Sequence, residues 1–168
     1  MERQGLVTIH GNPLTLVGPE LKVGDTAPAF SALDNDLNPV SLDDFQGQTL
    51  IISSVPSLDT PVCDLQTRRF NAEAGKHPDV KVLTLSMDLP FAQKRWCGAA
   101  GADHVLTLSD HRDAAFGNAW GLLLKELRLL ARAVAVVGKD GKIAYLQIVP
   151  EVTSEPDYDA ALAALANA

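Results

Sequence analysis

At 168 residues, 46% of them hydrophobic, the chain is long enough for one well-buried core and short for two domains. A formal net charge of −7 without a Lys/Arg cluster excludes nonspecific nucleic-acid binding, which needs a basic surface. No window approaches the ~18 uninterrupted apolar residues of a membrane span, and Met1 to His10 lack the apolar stretch and cleavage site of a signal peptide, so a cytoplasmic protein without membrane insertion is expected.

Along the chain, Leu6-Val7-Thr8-Ile9 and Leu14-Thr15-Leu16-Val17 flank the turn-rich His10-Gly11-Asn12-Pro13, which predicts an N-terminal β-hairpin over about 6–17. This hairpin is expected to cover part of the core, with no evident chemical role. Gly18 to Lys22 reads as a linker, and Gly24 to Phe30 approaches a short strand. Asp34 to Pro39 is a polar turn, and Asp43-Asp44-Phe45 before Gly47 suits a short helical turn. Thr49 to Val55 is almost continuously apolar, as in a strand covered on both faces.

That strand leads into Pro56-Ser57-Leu58-Asp59-Thr60-Pro61-Val62-Cys63. Asp59 and Thr60 are capping residues and Pro61 suits a first helical position, so a helix is predicted from Pro61 to about Lys76, with Cys63 in its first turn. Val80 to Ser86 is a second buried-type strand. Asp88 is expected to cap a second helix that carries Cys97 and ends near Gly98 or Gly101. Alternating strands and helices argue for parallel pairing through crossovers.

His104 to Leu108 predicts a third strand, with Ser109 or Asp110 leading into a helix around Asp113 to Trp120. Trp120, Leu123, Leu124, Leu127 and Leu130 then recur at helical spacing, a pattern that suits core packing or a partner surface. Ala131 to Val137 and Lys142 to Val149 flank Gly138-Lys139-Asp140-Gly141 as a hairpin with an Asp-Gly turn. A final helix is expected from Glu155-Pro156-Asp157 to Ala168. No repeat, low-complexity segment or interdomain linker interrupts residues 1–168, which read as a single α/β domain.

Two cysteines in a cytosolic protein point to chemistry more than to structure. A thiolate is the nucleophilic form of cysteine, and the unpaired N–H groups at a helix start favour an anion there. A helix end alone rarely stabilises a thiolate enough at neutral pH, so a cation close to Cys63 is expected. A metal is not: zinc requires clustered ligands, whereas Cys63 and Cys97 stand far apart and His10, His77, His104 and His111 form no tight group.

Pro56, Thr60 and Cys63 match the Pro-x-x-x-Thr-x-x-Cys signature of peroxiredoxins, and PSLDTPVC together with LSMDLPFAQKRWCGAAG resembles the atypical two-cysteine thiol peroxidase branch from about Val7 to the C-terminus. The resemblance implies a thioredoxin-like fold of peroxiredoxin type with an added N-terminal β-hairpin. It implies a peroxidase without cofactor, in which Cys63 takes oxygen from hydrogen peroxide or an organic hydroperoxide, Thr60 binds a peroxide oxygen, and Pro56 shapes the pocket. Arg132 matches the family's site arginine and would be the expected cation, although its reading as an edge salt bridge stays open. Cys97 would resolve the Cys63 sulfenic acid to an intrachain disulfide, with local unwinding around both cysteines. Thioredoxin is the expected reductant and a homodimer the expected assembly. A one-cysteine peroxidase served by an external thiol, and a noncatalytic redox sensor, are the alternatives; the lack of a Cys-x-x-Cys pair weakens a disulfide reductase.

Overall fold

The computed structural model describes residues 1–168. Its strands are β1 (Glu2–Ile9), β2 (Asn12–Val17), β3 (Ser31–Leu33), β4 (Pro39–Ser41), β5 (Thr49–Ser54), β6 (Val80–Ser86), β7 (Val105–Ser109), β8 (Leu123–Leu124), β9 (Leu129–Leu130), β10 (Ala133–Val137) and β11 (Ile143–Ile148). The helices are α1 (Pro61–Lys76), α2 (Pro90–Ala100), α3 (Ala115–Trp120) and α4 (Tyr158–Ala164). None of them is long and apolar enough to cross a membrane.

A seven-stranded sheet runs in the order β11-β10-β5-β6-β7-β3-β4. Its centre, β5, β6 and β7, is parallel, as the strand-helix alternation predicts, and β10 is antiparallel to β5. Period-two alternation divides the side chains between two apolar layers. Ile51, Val82, Val105, Val134 and Val136 face a layer that includes Phe70, Ala74 and Ala161. Leu50, Ile52, Leu83, Leu85, Ala133 and Ala135 face the other, which contains Phe116, Trp120 and the hairpin residues Val7, Leu14 and Leu16. Burial on both faces explains why β5 and β10 are buried at every residue.

The N-terminal hairpin forms as predicted, with Ile9 opposite Asn12 and Val7 opposite Leu14. The Ala131–Val149 hairpin also forms, its turn closed by Gly141 at φ +77°. The short helical turn becomes a 3₁₀ turn over Leu42–Phe45, held by a reciprocal cap between Ser41 and Asp44.

Three expectations are corrected. The helically spaced leucines of 120–130 form a β-hairpin: Leu123 pairs with Leu130 and Leu124 with Leu129, and β8 adds to β2. Gly121 ends α3 in the left-handed region at φ +66°, where a Cβ would collide with the Pro19 carbonyl and only glycine fits; sheet alternation then buries Leu124 and Leu130, while Leu127 in the turn is exposed. The helix before it is shorter than 113–120 because Ala114 stands in the left-handed region at φ +49°, so that α3 starts at Ala115; the Phe116 and Gly117 N–H groups of its first turn are satisfied by Asp110 at 3.0 and 2.8 Å. Burial raises the Asp110 carboxyl pKa above its usual value, while these two N–H groups pull it back. In the tail, α4 stops at Ala164 and a 3₁₀ turn over Leu165–Asn167 replaces its end.

Candidate active site

Strand register brings the site together. Ser54, the last residue of β5, pairs with Ala133, the first of β10, because the two strands run antiparallel. Arg132 therefore enters β10 beside the point where the chain leaves β5 through the buried Val55 and Pro56 toward Cys63. In sequence these segments are far apart; the sheet makes them neighbours.

Cys63 occupies the first turn of α1 and is completely buried. Its Sγ accepts a hydrogen bond from Nη2 of Arg132 at 3.2 Å. Val55 and Leu58 enclose the thiol, and Trp96 packs against this group. No side chain caps the helix, which leaves the positive end of its dipole directed at the sulfur's turn.

Arg132 is only 2% exposed, and its hydrogen bonds go to no carboxylate. Nε donates to the Val152 carbonyl at 2.7 Å, and Nη1 to Oε1 of Gln66 at 2.9 Å. Gln66 is itself buried and donates through Nε2 to Ser53 Oγ at 2.7 Å. The edge salt bridge is thus replaced by a buried cation whose fork spans a carbonyl, an amide and a thiol. A buried charge is costly unless its donors are satisfied, and these acceptors engage each of the three nitrogens, three of the five N–H donors in all.

Thr60 stands at the N-cap with extended backbone, but its side chain makes no capping bond. Its hydroxyl donates to the Ser57 carbonyl at 3.0 Å, which bends the 57–60 turn and leaves the oxygen's lone pairs open at the surface. Asp59 is exposed and likewise supplies no cap.

Asp88 does not cap α2. The N-cap is Leu89, and Pro90 at the first position has no N–H to offer, so the carboxylate turns elsewhere. Oδ1 accepts from Ser57 Oγ at 2.7 Å, and Oδ2 from Leu58 N at 2.7 Å and Ser86 Oγ at 2.9 Å. One side chain between β6 and α2 thus fastens the loop before Cys63. Asp88→Ala should cost about 2 kcal/mol, since it strands the Leu58 N–H; urea unfolding measures this, and an unchanged midpoint would refute the fastening.

Cys97 lies on α2, partly buried, with Sγ 3.5 Å from Thr107 Oγ1 of β7. Both cysteines are free, and their sulfurs meet different partners. The two helices are joined beside them: Trp96 Nε1 donates to Asp64 Oδ1 at 2.8 Å, Asp64 pairs with Arg68 at 2.8 Å, and the Arg68 guanidinium lies over the Trp96 ring. A cleft of 340 Å³ runs past Thr60, Pro61, Asp64 and Trp96, and a second of 310 Å³ past Leu58, Asp88 and Trp96. The first borders the first turn of α1, and the second lies between the loop before it and α2.

Sequence reasoning missed Gln66, the Val152 carbonyl and the true partners of Asp88. Gln66 had a signal, because a residue three after Cys63 shares its helix face. The carbonyl had none, since every residue carries one.

A redoxin family model matches residues 22–162. A thiol peroxidase of Bacillus subtilis is 58% identical over 153 residues, covering 91% of this chain and 92% of that one. One from Halalkalibacterium halodurans is 56% identical over 158 residues, covering 94% and 95%. Among solved structures, a peroxiredoxin-like protein from Aquifex aeolicus aligns with a TM-score of 0.90 at 42% identity over 98% of each chain. A thiol peroxidase from Chromobacterium violaceum shares the fold, with a TM-score of 0.87 at 20% identity over 96% of this chain and 95% of that one.

Proposed function

We propose that this chain, which belongs to the redoxin family and is a thiol peroxidase of thioredoxin-like peroxiredoxin fold with an N-terminal β-hairpin, reduces hydroperoxides through Cys63 and resolves through Cys97. What supports this most is the 3.2 Å contact between a buried guanidinium and the Cys63 sulfur at an uncapped helix start. A cation and a helix end converging on one thiol stabilise its anion and the charge that develops on the departing oxygen.

In the first step the Cys63 thiolate attacks the terminal oxygen of a hydroperoxide. A sulfur–oxygen bond forms, the oxygen–oxygen bond breaks, and sulfur supplies two electrons; the departing oxygen gains a proton and leaves as water or an alcohol. Because the Thr60 hydroxyl proton is committed to Ser57, its oxygen would accept from the peroxide O–H and orient it. Arg132 would donate to the oxygen that accumulates charge. Pro56, buried behind the turn, would limit solvent access to the sulfur.

In the second step the Cys97 sulfur attacks the Cys63 sulfenic acid, forming the disulfide and releasing water. Since the two thiols sit on separate helices with separate partners, the ends of both helices unwind for this step. A dithiol such as thioredoxin's returns the two electrons. Residues 1–168 act as one domain in the cytoplasm, as a homodimer, with no cofactor taking part.

One equivalent of hydrogen peroxide added to the reduced protein, followed by proteolysis and mass analysis, tests this. The Cys63 and Cys97 peptides should emerge joined and two hydrogens lighter than their sum. A sulfenic acid persisting at Cys63 with no joined peptide would refute the resolving role, and an unoxidised Cys63 the whole reading.

A further inference from the structure

Of the three acceptors around Arg132, Gln66 and Cys63 come from α1, while the Val152 carbonyl comes from the segment after β11. That segment has little regular structure and is held by the N-terminal hairpin. Thr8 N donates to the Pro150 carbonyl at 2.8 Å, Val152 N donates to the Thr8 carbonyl at 2.9 Å, and Thr8 and Glu151 form an isolated bridge.

The Glu151 side chain completes the joint. Oε1 accepts from Thr8 Oγ1 and from Gly11 N, in the hairpin turn, each at 2.9 Å. Oε2 accepts from Thr153 N at 2.9 Å and Thr153 Oγ1 at 2.7 Å. One carboxylate therefore binds the β1–β2 turn with one oxygen and the residue after Val152 with the other. These donors, the Thr153 and Gly11 N–H groups foremost, hold its pKa well below the usual carboxylate range, so it remains an anion and a full acceptor at neutral pH.

We propose that Glu151 is a positioning residue for peroxide reduction: by clamping the N-terminal hairpin to the 150–153 segment, it fixes the Val152 carbonyl that aims Arg132 at Cys63. The hairpin thus has a role in the reaction as well as in covering the core. When the clamp loosens, the carbonyl drifts, the guanidinium loses one of its two anchors away from sulfur, and the first oxidation slows. The inference rests on Arg132 and Cys63 being the reacting pair, so its test must separate the two ideas.

Stopped-flow oxidation of the reduced full chain by hydrogen peroxide does so, using Glu151→Ala, Arg132→Met and the double variant. Glu151→Ala should slow oxidation of Cys63 about 10-fold and leave the subsequent disulfide-forming step unchanged. Glu151→Gln, which keeps one acceptor oxygen, should recover part of the loss. In the Arg132→Met background, Glu151→Ala should cost nothing further, because an effect routed through the guanidinium vanishes with it. A general loss of structure would instead slow both backgrounds.

The parental rate in Glu151→Ala, or an undiminished loss in the double variant, would overturn the proposal. The parental rate in Arg132→Met would remove its premise, and the proposal with it. If Glu151→Ala does not fold, Thr8→Val and Glu151→Gln carry the same comparison: smaller losses that disappear without Arg132 support the clamp, and parental rates in both overturn it.

Discussion

Arg132→Met is expected to lower the second-order rate constant for Cys63 oxidation by about 100- to 1,000-fold, the loss typical when a preorganised donor to a developing negative charge is removed. Methionine fills much of the arginine's volume, so the packing around Val55 and Leu58 is largely kept. Its cost in stability is a separate matter. The substitution removes a buried cation that has no carboxylate partner, which favours folding, and it strands Gln66 Oε1 and the Val152 carbonyl, which costs about 1–3 kcal/mol for each. Stopped-flow fluorescence reads the rate on protein shown to be folded by urea titration, so the two effects are measured apart. Arg132→Lys should recover little: an ammonium is a point charge and cannot span a carbonyl, an amide and a thiol with one planar fork. Oxidation of Arg132→Met at the parental rate would mean that the 3.2 Å contact is structural only.

Cys97→Ser is expected to leave the first oxidation untouched and to abolish sustained turnover supported by thioredoxin. The Cys97 sulfur contacts Thr107 of β7, away from the Arg132–Cys63 pair, so its removal should not disturb the attacking thiolate. It removes the thiol that converts the sulfenic acid to a disulfide, and further peroxide then drives Cys63 to the sulfinic acid. Consumption should stop after about two equivalents, one for the sulfenic and one for the sulfinic acid, seen as a burst without a steady phase. Steady turnover with thioredoxin in this variant would favour the one-cysteine mechanism, with an external thiol in place of Cys97.

The strand, turn and helix around Cys63 were legible because each carries a local signal: an apolar run for β5, capping-type residues and Pro61 for the start of α1. Parallel pairing followed from the alternation of elements. The leucines of 120–130 misled because their spacing fits a helix as well as a hairpin; the deciding fact, the crowding of Gly121 against Pro19, is a contact between distant segments. Asp88 looked like a cap because it precedes Pro90, yet its bonds depend on where the 57–58 loop comes to rest. The neighbours of Arg132 were hidden for a related reason. One is an amide on the buried face of α1, and another is a main-chain oxygen whose importance no side chain announces.

The absence of a carboxylate beside Arg132 has a consequence for timing. On the mechanism proposed above, the thiolate is the only anion among its partners, and oxidation to sulfenic acid discharges it. The guanidinium is then left solitary in a dry interior, a state costlier than the one before catalysis. Peroxide consumption itself would thereby weaken the closed arrangement, loosening the first turn of α1 just when the second sulfur has to reach the first.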